Sequence, residues 1–184
     1  MLRTYVLKYR MDYTTRFKGA FQFSRPLDED TRALLDGLRR TRRMRRDIKV
    51  LAESEGLNIA QATERYGADG EFYYDPMNFA NFGEKDTLAV GDNFNTPPEN
   101  QPSLWLKWEV VTSDGRDYLT WDGSEKFTGY VEWLEYIINR ILNPRGYHLR
   151  GAVYYKGEDP HDRGVLNIQL DIVCNCPITF HEIN

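Results

Sequence analysis

A chain of 184 residues, 41% hydrophobic and 28% charged, can bury a core without cross-links and is too apolar to stay disordered. Its formal net charge of −4 excludes a protein that coats nucleic acid over its whole surface, and is too small for an imitation of DNA. The two cysteines, Cys174 and Cys176, are too few and too close for a disulfide framework.

No run approaches the roughly 18–20 apolar residues that cross a bilayer, and the first ten residues lack the apolar stretch of a secretory signal. A soluble protein of a reducing cytoplasm, with no membrane partner, is therefore expected. Aromatic residues, at 14%, are the outlier: twelve Tyr, nine Phe and four Trp. Their first use is core mass, although Tyr and Trp also concentrate at binding surfaces.

In chain order, Tyr5, Leu7 and Tyr9, then Phe17, Gly19, Phe21 and Phe23, recur with a period of two and predict strand, which Pro26 ends. Asp28 or Asp30 then caps a helix running from about Glu29 to about Leu51. Leu34, Leu38, Met44, Ile48 and Leu51 lie on one side of it, with Arg39, Arg42, Arg43 and Arg46 on the other. Gly37 weakens this helix and marks a bend or break. A shorter helix over about Ile59–Tyr66 follows, with Asn58 as its cap and Gly67 as its stop.

From about 71 to 102 the regular signal fades, apart from a short strand at Glu71–Tyr74. A connection this long and irregular is more often functional than idle. Leu104 to Val111 is a clear strand, Ser113-Asp114-Gly115 a hairpin turn, and Tyr118 to Trp121 the returning strand. A second strong helix spans about Thr128 to Leu142, with Tyr130, Val131, Leu134, Ile137, Ile138 and Ile141 as its apolar stripe, and ends at Pro144 and Gly146. Two last strands, His148 to Lys156 and Val165 to Cys174, are joined by a polar loop. The pattern predicts one α+β domain over residues 1–184: a mainly antiparallel sheet with two principal helices packed on it.

Three clusters bear on chemistry. Trp121-Asp122-Gly123-Ser124-Glu125-Lys126 lies between a strand and a helix, where carboxylates, a lysine and free helix N–H groups can meet a ligand. Capping by Asp122 or Ser124, with Glu125 in the first turn, accounts for the same pattern. Glu158, Asp159 and Asp162 form a second acidic group. Combined with Asp122 and Glu125 it makes a carboxylate-lined site for a divalent ion or for acid–base work, but the spacing is not that of a calcium loop. A solvated turn is the blander reading.

The third cluster is Arg39 to Arg46, six arginines in eight residues, whose outward face of Arg39, Arg42, Arg43 and Arg46 suits phosphate. Cys174 and Cys176 share a strand face, with His181 beyond them, but this is not the spacing of a zinc finger or ribbon. Two free thiols are expected, and no metal. No nucleotide-binding, hydrolase or metalloprotease motif is present, which implies no cofactor and weighs against an enzyme.

The blocks Phe17-Lys18-Gly19-Ala20-Phe21, Thr41 to Asp47, Gln101 to Trp105, Trp121 to Phe127, Tyr130 to Tyr136 and Gly157-Glu158-Asp159 resemble an uncharacterised family of bacteriophage and bacterial proteins. The resemblance runs from about residue 12 to about residue 170. It implies a bacterial-host cytoplasm and no particular activity or catalytic residue. The expectation is a non-enzymatic interaction protein, a phage accessory or anti-defence protein that engages a host protein or small ligand, with nucleic acid reached through the Arg39–Arg46 helix. The second reading is a small metal-assisted or acid–base enzyme acting on a nucleotide or nucleic acid.

Overall fold

A computed structural model describes residues 13–179 of the protein. The expected strand at residues 5–10 and His181 lie outside the described residues. The described chain forms β1 (Arg16–Phe23), α1 (Glu29–Arg40), α2 (Ile48–Glu55), α3 (Ile59–Tyr66), β2 (Trp108–Ser113), β3 (Arg116–Trp121), α4 (Tyr130–Tyr136), β4 (Leu149–Lys156), β5 (Arg163–Gln169) and β6 (Ile172–Pro177). After α4 the helical path continues through a wider turn over Ile137–Leu142 and a tight one at Asn143–Arg145, and Gly146 then reverses it. No helix among the described residues is long and apolar enough to cross a membrane.

The six strands form one antiparallel sheet in the order β2-β3-β1-β4-β5-β6, so the fold is α+β as expected. Alternation along the strands sends Phe21, Phe23, Leu119, Val153, Leu166 and Ile168 to one face. There they meet Leu34, Leu35 and Leu38 of α1 and the stripe Leu134, Ile137, Ile138 and Ile141. Most of the aromatic excess belongs to this core: Trp108 and Trp133 are fully buried, and Phe17 lies 5.0–5.9 Å from the rings of Trp108, Trp121, Phe127 and Tyr130. The opposite face, free of helices among the described residues, carries most of the strands' polar residues, interspersed with Val111, Val165 and Ile172.

Local chemistry explains the elements that follow expectation. Asp28 caps α1, accepting from the Thr31 amide at 2.7 Å and from the Tyr147 hydroxyl at 2.6 Å; the Tyr147 bond, with Thr31 next, holds its carboxyl down at about 2. Asn58 and Gln61 form a reciprocal capping box at the start of α3, and Gly67 ends it.

The long helix expected to run to Leu51 does not form. α1 stops at Arg40, residues 41–47 run extended, and α2 starts anew on an Asp47 cap. Tertiary hydrogen bonding overrides helix propensity here. The amides of Arg43, Arg45, Arg46 and Asp47 donate to the carbonyls of Leu104, Thr96, Asp69 and Ala89 at 2.8–2.9 Å. Three of the four arginines assigned to an outward basic face are consequently inside, with Arg43 only 1% exposed and Arg42 and Arg46 also buried.

Each buried arginine holds a different stretch of the irregular segment. Arg43 donates from Nε to Gln101 Oε1 at 3.1 Å, from Nη1 to the Tyr73 carbonyl at 2.8 Å, and from Nη2 to the carbonyls of Glu71 (3.0 Å) and Gly70 (3.4 Å). Arg46 donates to the carbonyls of Leu88 and Asp86, pairs with the Asp86 carboxylate at 3.4 Å, and covers the Tyr73 ring at 4.0 Å. Arg42 donates to the Phe94 carbonyl and to Asn95 Oδ1.

Two further strands differ from expectation. Residues 71–74 form a turn and an irregular stretch rather than a strand, because the Glu71 carbonyl is bound by Gln101 Nε2 and Arg43, and its carboxylate by Arg140. The strand expected from Val165 to Cys174 folds into β5 and β6 around Leu170-Asp171, both with positive φ (53° and 59°). The Asp171 carboxylate fixes that turn through His148 Nδ1 (2.5 Å) and the Leu149 amide. Gly37 lies inside α1 without breaking it; the Tyr74 ring rests where a Cβ would stand.

Two predictions test this packing. Arg43→Met leaves the Tyr73 carbonyl and Gln101 Oε1 without a donor and removes one of the donors to Gly70 and Glu71, and urea denaturation is expected to show a loss of about 3–5 kcal/mol. Limited proteolysis should then cut first between residues 70 and 101. Gly37→Ala should destabilise by about 1–3 kcal/mol in the same assay, because overpacking against Tyr74 outweighs alanine's better helix propensity.

Candidate functional site

The Trp121–Lys126 segment is not a helix cap. The N-cap of α4 is Gly129, which makes no side-chain bond, so neither Asp122 nor Ser124 caps the helix. Asp122 instead closes a turn on itself: its Oδ1 accepts from the Ser124 amide at 2.9 Å and from the Ser124 hydroxyl at 2.5 Å. Gly123 supplies the positive φ (81°) the turn requires, and the Trp121 indole N–H donates to the Ser124 carbonyl. The turn holds the second carboxylate oxygen of Asp122 3.7 Å from Arg39 of α1.

Asp122, Ser124 and Arg39 form one wall of a cleft of about 550 Å³. Trp105, Leu106 and Lys107 form a second wall, and Asn81, Phe82, Glu84 and Lys85 of the irregular segment a third. Arg39 is steered by carboxylates on three elements: Asp36 at 3.2 Å, Asp122 at 3.7 Å and Glu109 at 4.0 Å. Its Nε is buried and makes no hydrogen bond. The Lys107 ammonium donates to the Glu125 carbonyl. Burial pushes its pKa down, against the pull of Asp122 and Glu125.

The remaining sequence candidates lie elsewhere. Glu125 and Glu158 share a separate depression of about 370 Å³ with Thr14, Arg16, Lys156 and Gly157. Glu158 Oε1 accepts from the Thr14 amide at 3.0 Å, Asp162 Oδ2 accepts from the Tyr13 hydroxyl at 2.5 Å, and the Asp159 amide donates back to that hydroxyl. This loop therefore clamps the chain entering β1. Of the five carboxylates considered as one site, Asp122 lines the cleft, Glu125 and Glu158 line the depression, and Asp159 and Asp162 hold Tyr13. Lys126 adopts a positive φ (59°) beside a shallow hollow formed with Trp105 and Pro102. Among the described residues no group of three or more His, Cys, Asp or Glu is arranged to hold a metal ion. Cys174 and Cys176 are free and exposed on β6.

Reasoning from sequence missed Phe82, Lys85, Trp105 and Lys107. The one available signal was the length of the irregular segment, which contributes the wall around Phe82. Chemically, the cleft offers two aromatic surfaces, three cations and two carboxylates, with no histidine or cysteine among its lining residues. Ser124 Oγ–H donates to the Asp122 carboxylate within the turn, and no imidazole lines the cleft. Its volume suits a small ligand or an anchoring side chain.

No family model matches the chain, and no curated protein or solved structure matches it either.

One prediction concerns the turn. Asp122→Ala removes the oxygen that accepts from both the amide and the hydroxyl of Ser124 and should cost about 1 kcal/mol. Hydrogen exchange should show faster exchange at the Ser124 amide, with the amides of α4 unchanged.

Proposed function

We propose that this is a non-enzymatic binding protein, a phage-encoded accessory or anti-defence protein, whose cleft at Arg39, Phe82, Trp105 and Lys107 receives a small ligand or an anchoring segment of a host protein. The observation that carries the reading is the make-up of the cleft: aromatic walls and cations around a concave space. Binding sites concentrate residues of this kind, apolar surface for affinity and a few charges for orientation. Asp122 lines the cleft whereas Glu125 and Glu158 line a different depression, which weighs against the carboxylate enzyme, whose groups must converge on one reacting centre. The phage and host setting rests on the resemblance of the sequence blocks.

The test is co-purification of the tagged chain from a bacterial host, with bound proteins and small molecules identified by mass spectrometry. A stoichiometric species is expected with the wild type and with Glu125→Gln/Glu158→Gln, and a loss of at least tenfold with Phe82→Ala/Lys85→Glu. Turnover of a nucleotide or nucleic acid that disappears in Glu125→Gln/Glu158→Gln while the fold persists would replace the binding reading with the enzymatic one.

A further inference from the structure

The helix-free face of the sheet is a second surface, independent of the cleft. Strand alternation and the cross-strand register place Arg16 and Lys18 of β1, Arg116 of β3, and Arg150 and Lys156 of β4 on it, all exposed. Glu109, at the β2 edge and 4.0 Å from Arg39, is the only carboxylate among the described strand residues of this face. At one end, Arg16 and Lys156 share a depression with Glu125 and Glu158, which offset them in part. Lys18, Arg116 and Arg150 have no carboxylate partner among the described residues; Arg150 donates only to Gln22 Oε1 at 3.3 Å. In a chain of net charge −4 this is a marked segregation of positive charge.

Between these cations stand tyrosines. Tyr154 is 58% exposed, pairs across the strands with Lys18, and has Arg150 and Lys156 on its own strand. Tyr118 pairs with Gln22, which pairs in turn with Arg150. Strand spacing and rise put the two tyrosines roughly 16 Å apart, a span of two to three nucleotides along an extended strand. The neighbouring side chains on the face, Gln22, Thr120 and Asn167, are uncharged hydrogen-bonding groups.

From this charge and ring pattern we propose that the sheet face binds single-stranded nucleic acid, with Lys18, Arg116 and Arg150 on the phosphates and a base stacked on Tyr154. An acidic protein surface would satisfy the cations but has no use for an exposed ring between them. A duplex keeps its base faces stacked inside, out of reach of Tyr154. The arginine run that suggested polyanion contact in the sequence serves the interior instead, and the available positive charge lies on the sheet.

Fluorescence anisotropy with a labelled 20-nucleotide single strand of mixed sequence, as DNA and as RNA, tests the proposal. Three phosphate contacts predict that affinity falls about 18-fold between 50 and 200 mM salt. Tyr154→Ala should weaken binding about tenfold with that salt dependence unchanged, as loss of a stacked base requires. Lys18→Glu/Arg150→Glu should abolish binding, whereas Phe82→Ala/Lys85→Glu in the cleft should leave it intact. Near-UV circular dichroism confirms that each variant is folded. Absence of binding at 50 mM salt overturns the proposal. So does equal binding of the matching duplex, or displacement by polyglutamate with no effect of Tyr154→Ala, either of which would assign the face to acidic polymers in general. A dimer that dissociates on Lys18→Glu would assign it to a second copy of the chain.

Discussion

A guanidinium group in the interior anchors the segment between residues 70 and 101, whose one regular element among the described residues is the short 3-10 helix Pro76–Asn81. A segment made mostly of turns must still find partners for its backbone carbonyls. Between residues 70 and 101 many of those partners are amides of the segment's own turns, and the side chains and amides of the 41–47 ribbon tie these turns together, with Arg43 at its centre. Arginine suits this role because its fork presents several fixed donors at once, which an ammonium cannot imitate. Burial lowers its pKa only to about 10, so it remains a cation at neutral pH. The cost of burying that charge is offset by four oxygen acceptors rather than by a single counter-ion.

The cleft depends on this arrangement. Phe82 and Lys85 lie on the part of the segment anchored by Arg46 through Asp86 and Leu88, while Trp105 follows directly after Leu104, whose carbonyl receives the Arg43 amide. Arg39, one turn earlier on α1, reaches the same cleft from the other side. A single stretch of arginines therefore supplies both the internal frame and one polar wall of the candidate site.

What could be read from sequence was what short-range chemistry determines. β1, the Asn58-capped α3, the β2–β3 hairpin and the apolar stripe of α4 each follow from periodicity and capping over fewer than twenty residues. The arginine run was misread because its helical pattern is locally sound. Only carbonyls far along the chain, from Asp69 to Leu104, pull it into an extended ribbon, and nothing in the local pattern announces them. The β5–β6 turn was missed for a related reason: Leu170-Asp171 lacks the usual glycine, and the contact that fixes it comes from His148. Asp122 was found as a site candidate, whereas its partners Phe82, Lys85, Trp105 and Lys107 come together only through the tertiary fold.

The position of the cysteines has a practical consequence. In the antiparallel register, Cys176 stands opposite Val165, which stands opposite Tyr154, which stands opposite Lys18. Both thiols are free and exposed, and Cys174 lies two residues from Cys176 on the same face. A maleimide dye attached at this strand would therefore report on the sheet surface from within its own row of side chains, in the otherwise native chain. The described part of the molecule carries a ready-made labelling handle on one face and none in the cleft.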